Sequence, residues 1–132
     1  MRNSVLDSYA VIAFLFQEKG HEKVLELFEK AAQADQPVLI ASPSWAEVRY
    51  IVERKVGAAR WHEARHKLLG LPLEVVPNDQ SLAELAGELK ATRKVSLADC
   101  FAAALAKQKK AELYTGDSEF RSVEKDVKLV WL

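Results

Sequence analysis

Four carboxylates in this chain occupy positions where oxygen-based chemistry could be done. Asp7 ends the short apolar run Ser4-Val5-Leu6, and Glu47 lies in Trp45-Ala46-Glu47-Val48, just after the apolar run Val38-Leu39-Ile40-Ala41. Asp99 lies in Ser96-Leu97-Ala98-Asp99 at the head of a stretch rich in Ala and Leu, and Asp117 follows Glu112-Leu113-Tyr114-Thr115 after one glycine. Carboxylates brought together repel, and their pKa values rise unless a cation sits among them. Oxygen donors without His or Cys favour Mg²⁺ or Mn²⁺ over zinc. Such a cation can hold phosphate oxygens and activate a water for in-line attack, and two of them roughly 4 Å apart form a common arrangement for phosphodiester cleavage. Each acid taken singly reads equally well as a helix cap. Ser44-Trp45-Ala46-Glu47 and Ser96-Leu97-Ala98-Asp99 both fit the capping box, and Asp7 and Asp117 each precede a helical segment. Convergence of all four on one place is what capping does not require.

Convergence depends on the elements that carry them. Ser4 to Asp7 reads as a buried strand and Ser8 to Glu18 as a buried helix, stopped at Lys19-Gly20. A second helix, His21 to Ala34, shows Val24, Leu25, Leu27 and Phe28 at helical spacing, and Asp35-Gln36-Pro37 breaks it. Val38 to Ala41 is a strand covered on both faces, with Glu47 expected in the first turn of the helix that runs from Ser42-Pro43-Ser44 through Lys55 to Gly57. Ala58 to Leu69 is a fourth helix, and Leu73 to Val76 a less apolar strand nearer a sheet edge. Asn78 or Asp79 caps a fifth helix with Leu82, Leu85, Ala86 and Leu89 on one face, and a buried sixth runs from Leu97 to Lys109. Glu112 to Thr115 is a strand, Ser118 to Val123 a helical turn, and Lys128 to Trp131 a last strand. Strands alternating with helices predict an α/β/α sandwich of three layers around a mostly parallel sheet of about five strands. Asp7, Glu47, Asp99 and Asp117 then share the carboxyl edge of that sheet, where open α/β sheets bind ligands.

Composition bounds the reading. The 132 residues suit one domain over 1–132, with 49% apolar and 29% charged residues and no low-complexity run. Nineteen basic and nineteen acidic residues cancel, which argues against a purely electrostatic nucleic-acid binder but not against an enzyme holding phosphates through metal. A single cysteine, Cys100, excludes an internal disulfide and suits a reducing compartment. The apolar stretch Tyr9 to Phe16 is too short to span a bilayer and has no basic leader, so a cytoplasmic, unprocessed protein with no membrane role is expected.

With these residues in order, the chain resembles the PIN-domain ribonucleases, and among them the VapC toxins of prokaryotic toxin-antitoxin pairs. Val5-Leu6-Asp7-Ser8, the Trp-Ala-Glu-Val helix with Glu47, Ser96 to Leu105 and Thr115-Gly116-Asp117-Ser118-Glu119-Phe120 carry the likeness across the whole chain. The resemblance implies a Mg²⁺- or Mn²⁺-dependent endoribonuclease acting on RNA, with Asp7, Glu47, Asp99 and Asp117 as catalytic metal ligands. It implies that the hydroxyls of Ser8 and Thr115 hold those acids or water in place, and that Glu119 is an additional acid. It implies inhibition by a small cognate VapB-like antitoxin over the helical face, a homodimer, and a possible higher toxin-antitoxin assembly. Cys100 departs from the family pattern, where a small residue such as Ala is usual, without touching the chemistry.

Other constellations compete. His62-Glu63-Ala64-Arg65-His66 is a literal H-E-x-x-H on a helix, which would set two imidazoles one turn apart for zinc. Arg65 and Lys67 beside it, and no clearly placed third ligand, favour a solvated helix instead; His21 is likewise a polar residue near a helix start. A phospho-acceptor receiver domain needs paired acids early and a late Lys, where this chain has Asp7 alone and Gly116-Asp117. Trp45, Tyr50, Trp61, Phe14 and Phe28 read as core, or as a groove for a partner peptide. Arg49, Arg54, Lys55, Arg60, Arg65, Lys90, Arg93 and Lys94 read as a solvated face, some of it available to RNA phosphates. The reading that follows is the nuclease toxin; its alternatives are a PIN nuclease of RNA maturation without antitoxin and a non-catalytic α/β interaction module.

Overall fold

The computed structural model describes Met1–Leu132, and its element order is the alternation read from the sequence. The strands are β1 (Ser4–Leu6), β2 (Val38–Ala41), β3 (Leu73–Val76), β4 (Glu112–Thr115) and β5 (Lys128–Trp131). The helices are α1 (Ser8–Leu15), α2 (His21–Ala34), α3 (Ser42–Val56), α4 (Ala58–Leu69), α5 (Gln80–Thr92) and α6 (Leu97–Lys109), with a 3₁₀ segment over Ser118–Val123.

All five strands pair in parallel in the order β3-β2-β1-β4-β5. The mostly parallel sheet read from the sequence is parallel throughout, because each crossover is long enough to return the chain to the same edge. β1 sits in the middle, Val5 opposite Leu39 on one side and Leu113 on the other. Its side chains alternate between two cores. Val5, Leu39 and Leu113 face α5, α6 and the 3₁₀ segment, whereas Leu6, Val38 and Ile40 face α1 to α4. Continuous apolar strands are what a sheet covered on both faces demands, and the result is the three-layer α/β/α sandwich.

Two local features differ from the sequence reading. α1 ends at Leu15 rather than Glu18, because Gln17 takes a left-handed turn (φ 53°) and the Glu18 amide donates to the Ala13 carbonyl at 2.9 Å. That is a Schellman-type stop made without glycine. α3 begins at Ser42 behind an Ala41 cap that has no side-chain bond, so Ser44 lies inside the helix and Glu47 in its second turn. The capping-box reading of Ser44 and Glu47 therefore fails.

Candidate metal centre

Each acid reaches the carboxyl edge of the sheet by a different local route. Asp7 caps α1: its Oδ1 accepts from the Ala10 amide at 2.8 Å, and its Oδ2 accepts from the Thr115 hydroxyl at the end of β4. Thr115 is fully buried, and its oxygen also accepts from the Asp117 amide at 3.0 Å, tying β1, β4 and the following turn into one unit. Asp117 caps the 3₁₀ segment through Oδ1 and the Glu119 amide at 2.9 Å. Asp99 sits at the third position of α6, its amide donating to Ser96 Oγ at 3.2 Å. The caps expected of Asp7, Asp117 and Ser96 are all present, but a cap uses only part of a carboxylate's capacity, since each oxygen has two lone pairs.

The acids also converge. One carboxylate oxygen each from Asp99, Asp117 and Glu119 lies within 4.8 Å of the others. Asp7 and Glu47 join them electrostatically: Asp99 and Asp117 press on Asp7, and Asp117 presses on Glu47. Burial lifts Asp7 to about 7, with the Thr115 hydroxyl and the Ala10 amide opposing and Asp99 and Asp117 adding. Burial lifts Asp99 to about 6, reinforced by the Glu47 charge and then by Asp117 and Glu119, with Ser96 opposing. Glu47 is likewise raised, by burial first, with the neighbouring Ser8 hydroxyl working the other way.

What is missing from this cluster is a counter-charge. Asp7, Glu47, Asp99, Asp117 and Glu119 take no part in any of the ion pairs of the molecule. Glu47 Oε1 is buried with no hydrogen-bond partner. A buried carboxylate oxygen without a donor costs about 1–3 kcal/mol or more, so it is retained where something else satisfies it. The all-oxygen donor set fits a hard divalent cation.

The competing motif dissolves in the fold. His62, Glu63 and His66 are exposed on α4, with Glu63 3.9 Å from Arg60, and they form no ligand cluster. Trp61 and Phe28 are core, with Trp45 and Phe14 packed against them, while Tyr50 is exposed under the Arg54 guanidinium. Beside them lies an apolar groove of about 630 Å³, lined by Leu15, Phe16, Val52, Val56 and Ala64 together with Arg60, Glu63 and Lys67. Of the basic residues, Arg49 pairs with Glu53 and Arg93 with Asp126, as a largely solvated surface would have it. Cys100 is buried in α6 as expected. One side chain at the acid edge escapes the sequence reading: Tyr9, absorbed there into a buried helix, is 45% exposed.

With this geometry in hand, comparisons place the chain. A family model described as the PIN domain matches residues 4–126. No curated protein matches the sequence closely enough to serve as a relative. Among solved structures, the DNA-bound VapBC of Salmonella typhimurium superposes with a TM-score of 0.78 at 18% identity, covering 98% of both chains. VapBC2 of Rickettsia felis, bound to a DNA fragment from its promoter, gives 0.75 at 20% identity with 96% of each chain covered. VapC20 of Mycobacterium tuberculosis, a toxin that cleaves the sarcin-ricin loop, gives 0.67 at 20% identity over 92% of this chain and 95% of that one. No helix of the protein is long and apolar enough to cross a membrane.

Proposed function

The chain belongs to the PIN-domain family, and on that footing we propose that it is a divalent-metal-dependent endoribonuclease, the toxin of a toxin-antitoxin pair. The observation that carries the proposal is a cluster of acids with no cation of the protein's own, one of whose buried oxygens lacks a donor. Helix capping alone leaves that oxygen unexplained.

In this reading Asp7, Glu47, Asp99 and Asp117 hold Mg²⁺ or Mn²⁺, with Glu119 as an additional acid. A metal held there would polarise the scissile phosphate and lower the pKa of the attacking water. The chain's own groups prepare the place. Thr115 fixes Asp7 through its hydroxyl and fixes Asp117 through that residue's amide, so two acids from β1 and the β4 turn keep one mutual orientation. Ser8 stands beside Glu47 and steadies its ionised form. With its pKa raised to about 7, Asp7 is about half protonated at neutral pH without a cation, and Asp99, raised to about 6, gains its proton a little lower; a cation held there would replace those protons.

RNA is the proposed substrate, as for the sarcin-ricin-cleaving toxin, and a VapB-like antitoxin the proposed partner, by analogy with the VapBC structures. The groove between α1, α3 and α4 supports that partner, since it offers an apolar floor with Arg60 and Lys67 beside it. A single domain over 1–132, a homodimer and a larger assembly with the antitoxin complete the proposal, as does a cytoplasmic location.

Calorimetric titration of Mn²⁺ into metal-free protein, beside Asp99→Asn, tests the core of it. Binding in the parent protein that disappears in the variant is expected. No binding in either, with the fold intact, would return the acids to a capping role.

A further inference from the structure

The side chain at the acid edge that the metal reading leaves unused is Tyr9. It follows Asp7 and Ser8 in the first turn of α1, a helix whose Ala10, Val11 and Ala13 are buried, yet it is 45% exposed. Its ring lies against Gly116: a β-carbon at that position would run into Tyr9 Cε1, Cζ and Cδ1. Gly116 separates Thr115 from Asp117, and both are locked to the acid edge by hydrogen bonds. The ring is thus seated on a backbone shelf between two elements of the proposed metal centre, and the glycine is needed so that it can come that close.

Tyr9 differs from the other exposed aromatic ring of the molecule. Of the two exposed aromatic side chains, Tyr50 is covered by the Arg54 guanidinium at 4.8 Å, whereas no cation stands over Tyr9. Phe14, Phe16, Trp61 and Trp131 each carry a Lys or Arg of their own. A bare, neutral, rigidly backed ring beside an anionic cluster has no partner within the chain and suits a flat, uncharged one from outside.

We propose that Tyr9 is the stacking platform for an unpaired nucleobase of the RNA, next to the phosphate held at the acid edge. The inference rests on the ribonuclease reading and adds to it a base-binding residue, one that takes a base free to leave its neighbours. Duplex RNA cannot offer such a base, whereas loops and ends can. Stacking on an aromatic ring is tolerant of base identity because every base has a π-face, so Tyr9 selects for an unpaired strand rather than for a sequence.

The test uses the full chain with Ca²⁺ to hold the phosphate, and a short oligouridylate carrying one 2-aminopurine, whose weakly stacking neighbours leave the probe bright until a ring covers it. Quenching of the 2-aminopurine on binding is expected for the parent protein. Tyr9→Ala should lose the quenching and bind about tenfold more weakly, while Tyr9→Phe keeps both and Mn²⁺ affinity stays at the parent value in each. Equal binding and quenching by Tyr9→Ala would overturn the platform while leaving the nuclease reading in place, as would a parent protein that binds Mn²⁺ and the oligonucleotide without quenching. A parent protein that binds neither metal nor oligonucleotide would remove the nuclease reading and this inference together.

Discussion

The carboxyl edge of the sheet and the outer face of α4 both present metal-ligand chemistry when read as sequence, yet only one of them is a place. On α4 the ligand types come from one helix: His62, Glu63 and His66 share a short span, stay in solvent, and have Arg60 within 3.9 Å of the glutamate. At the sheet edge the acids come from β1, α3, α6 and the turn after β4, with no side chain of opposite charge paired to them. Spacing within one helix is nearly free, because any helix puts residues four apart on one face. Gathering like charges from distant elements works against folding, so it persists where a ligand repays it.

The contrast breaks most sharply under mutation. Asp7→Asn or Asp99→Asn is expected to reduce RNA cleavage by about a thousandfold, the loss of several kcal/mol of charge stabilisation. His62→Ala with His66→Ala should leave cleavage within about twofold. Gel assays on one structured RNA, with Mn²⁺ present, decide between them; comparable losses from the two sets would erase the distinction.

A second measurement sharpens it through pH. Because Asp7 and Asp99 titrate near 7 and near 6, a cation must displace protons as pH falls. Mn²⁺ affinity should drop about tenfold per pH unit below 7 and more steeply below 6. Calorimetry at pH 5.5, 6.5 and 7.5 would show it, and a flat profile would contradict the burial of these acids.

The metal-free protein carries the same information with opposite sign. Both carboxyls have folded pKa values above the unfolded 3.8, so between about pH 4 and pH 7 the native state binds more protons than the unfolded one. Stability therefore falls as pH rises through that window. Asp7→Asn keeps an oxygen for the Ala10 amide and removes the charge, so it should raise Tm at pH 8 by several degrees and flatten the pH dependence. A lower Tm for Asp7→Asn in metal-free buffer would be the contrary result. The smallest effect is expected on α4, where His62→Ala or His66→Ala should move Tm by no more than about 2 °C.

Much of this is legible in the sequence. β2 to β5, α2, α4 and α6 begin and end where apolar runs, Asp35-Gln36-Pro37 and Gly57 place them, since those signals are local. The end of α1 is not, because Gln17 adopts a left-handed turn usually left to glycine, while the glycine stop signal stands three residues on at Gly20. α3 starts at Ser42, within the Ser42-Pro43-Ser44 signal, but the capping box drawn on Ser44 and Glu47 does not hold, since Ser44 is buried inside the helix behind Ala41. At the site, the strand-end acids could be found by position. The seat of Tyr9 on Gly116 could not, since nothing in the sequence ties residue 9 to residue 116.

The central position of β1 has a temporal meaning. A chain emerging from a ribosome delivers Asp7 before the other acids, and β1 can pair with β2, and β2 with β3, once Val76 is out. The other side of β1 stays open until Glu112–Thr115 has been made, and the bond from Thr115 to Asp7 closes a separation of 108 positions. Products that stop short of β4 hold Asp7 and Glu47 but have neither Thr115 nor Asp117. For the ribonuclease proposed above, strand order is thus a delay line between making the chain and arming it: the edge cannot exist until Thr115 and Asp117 have been made.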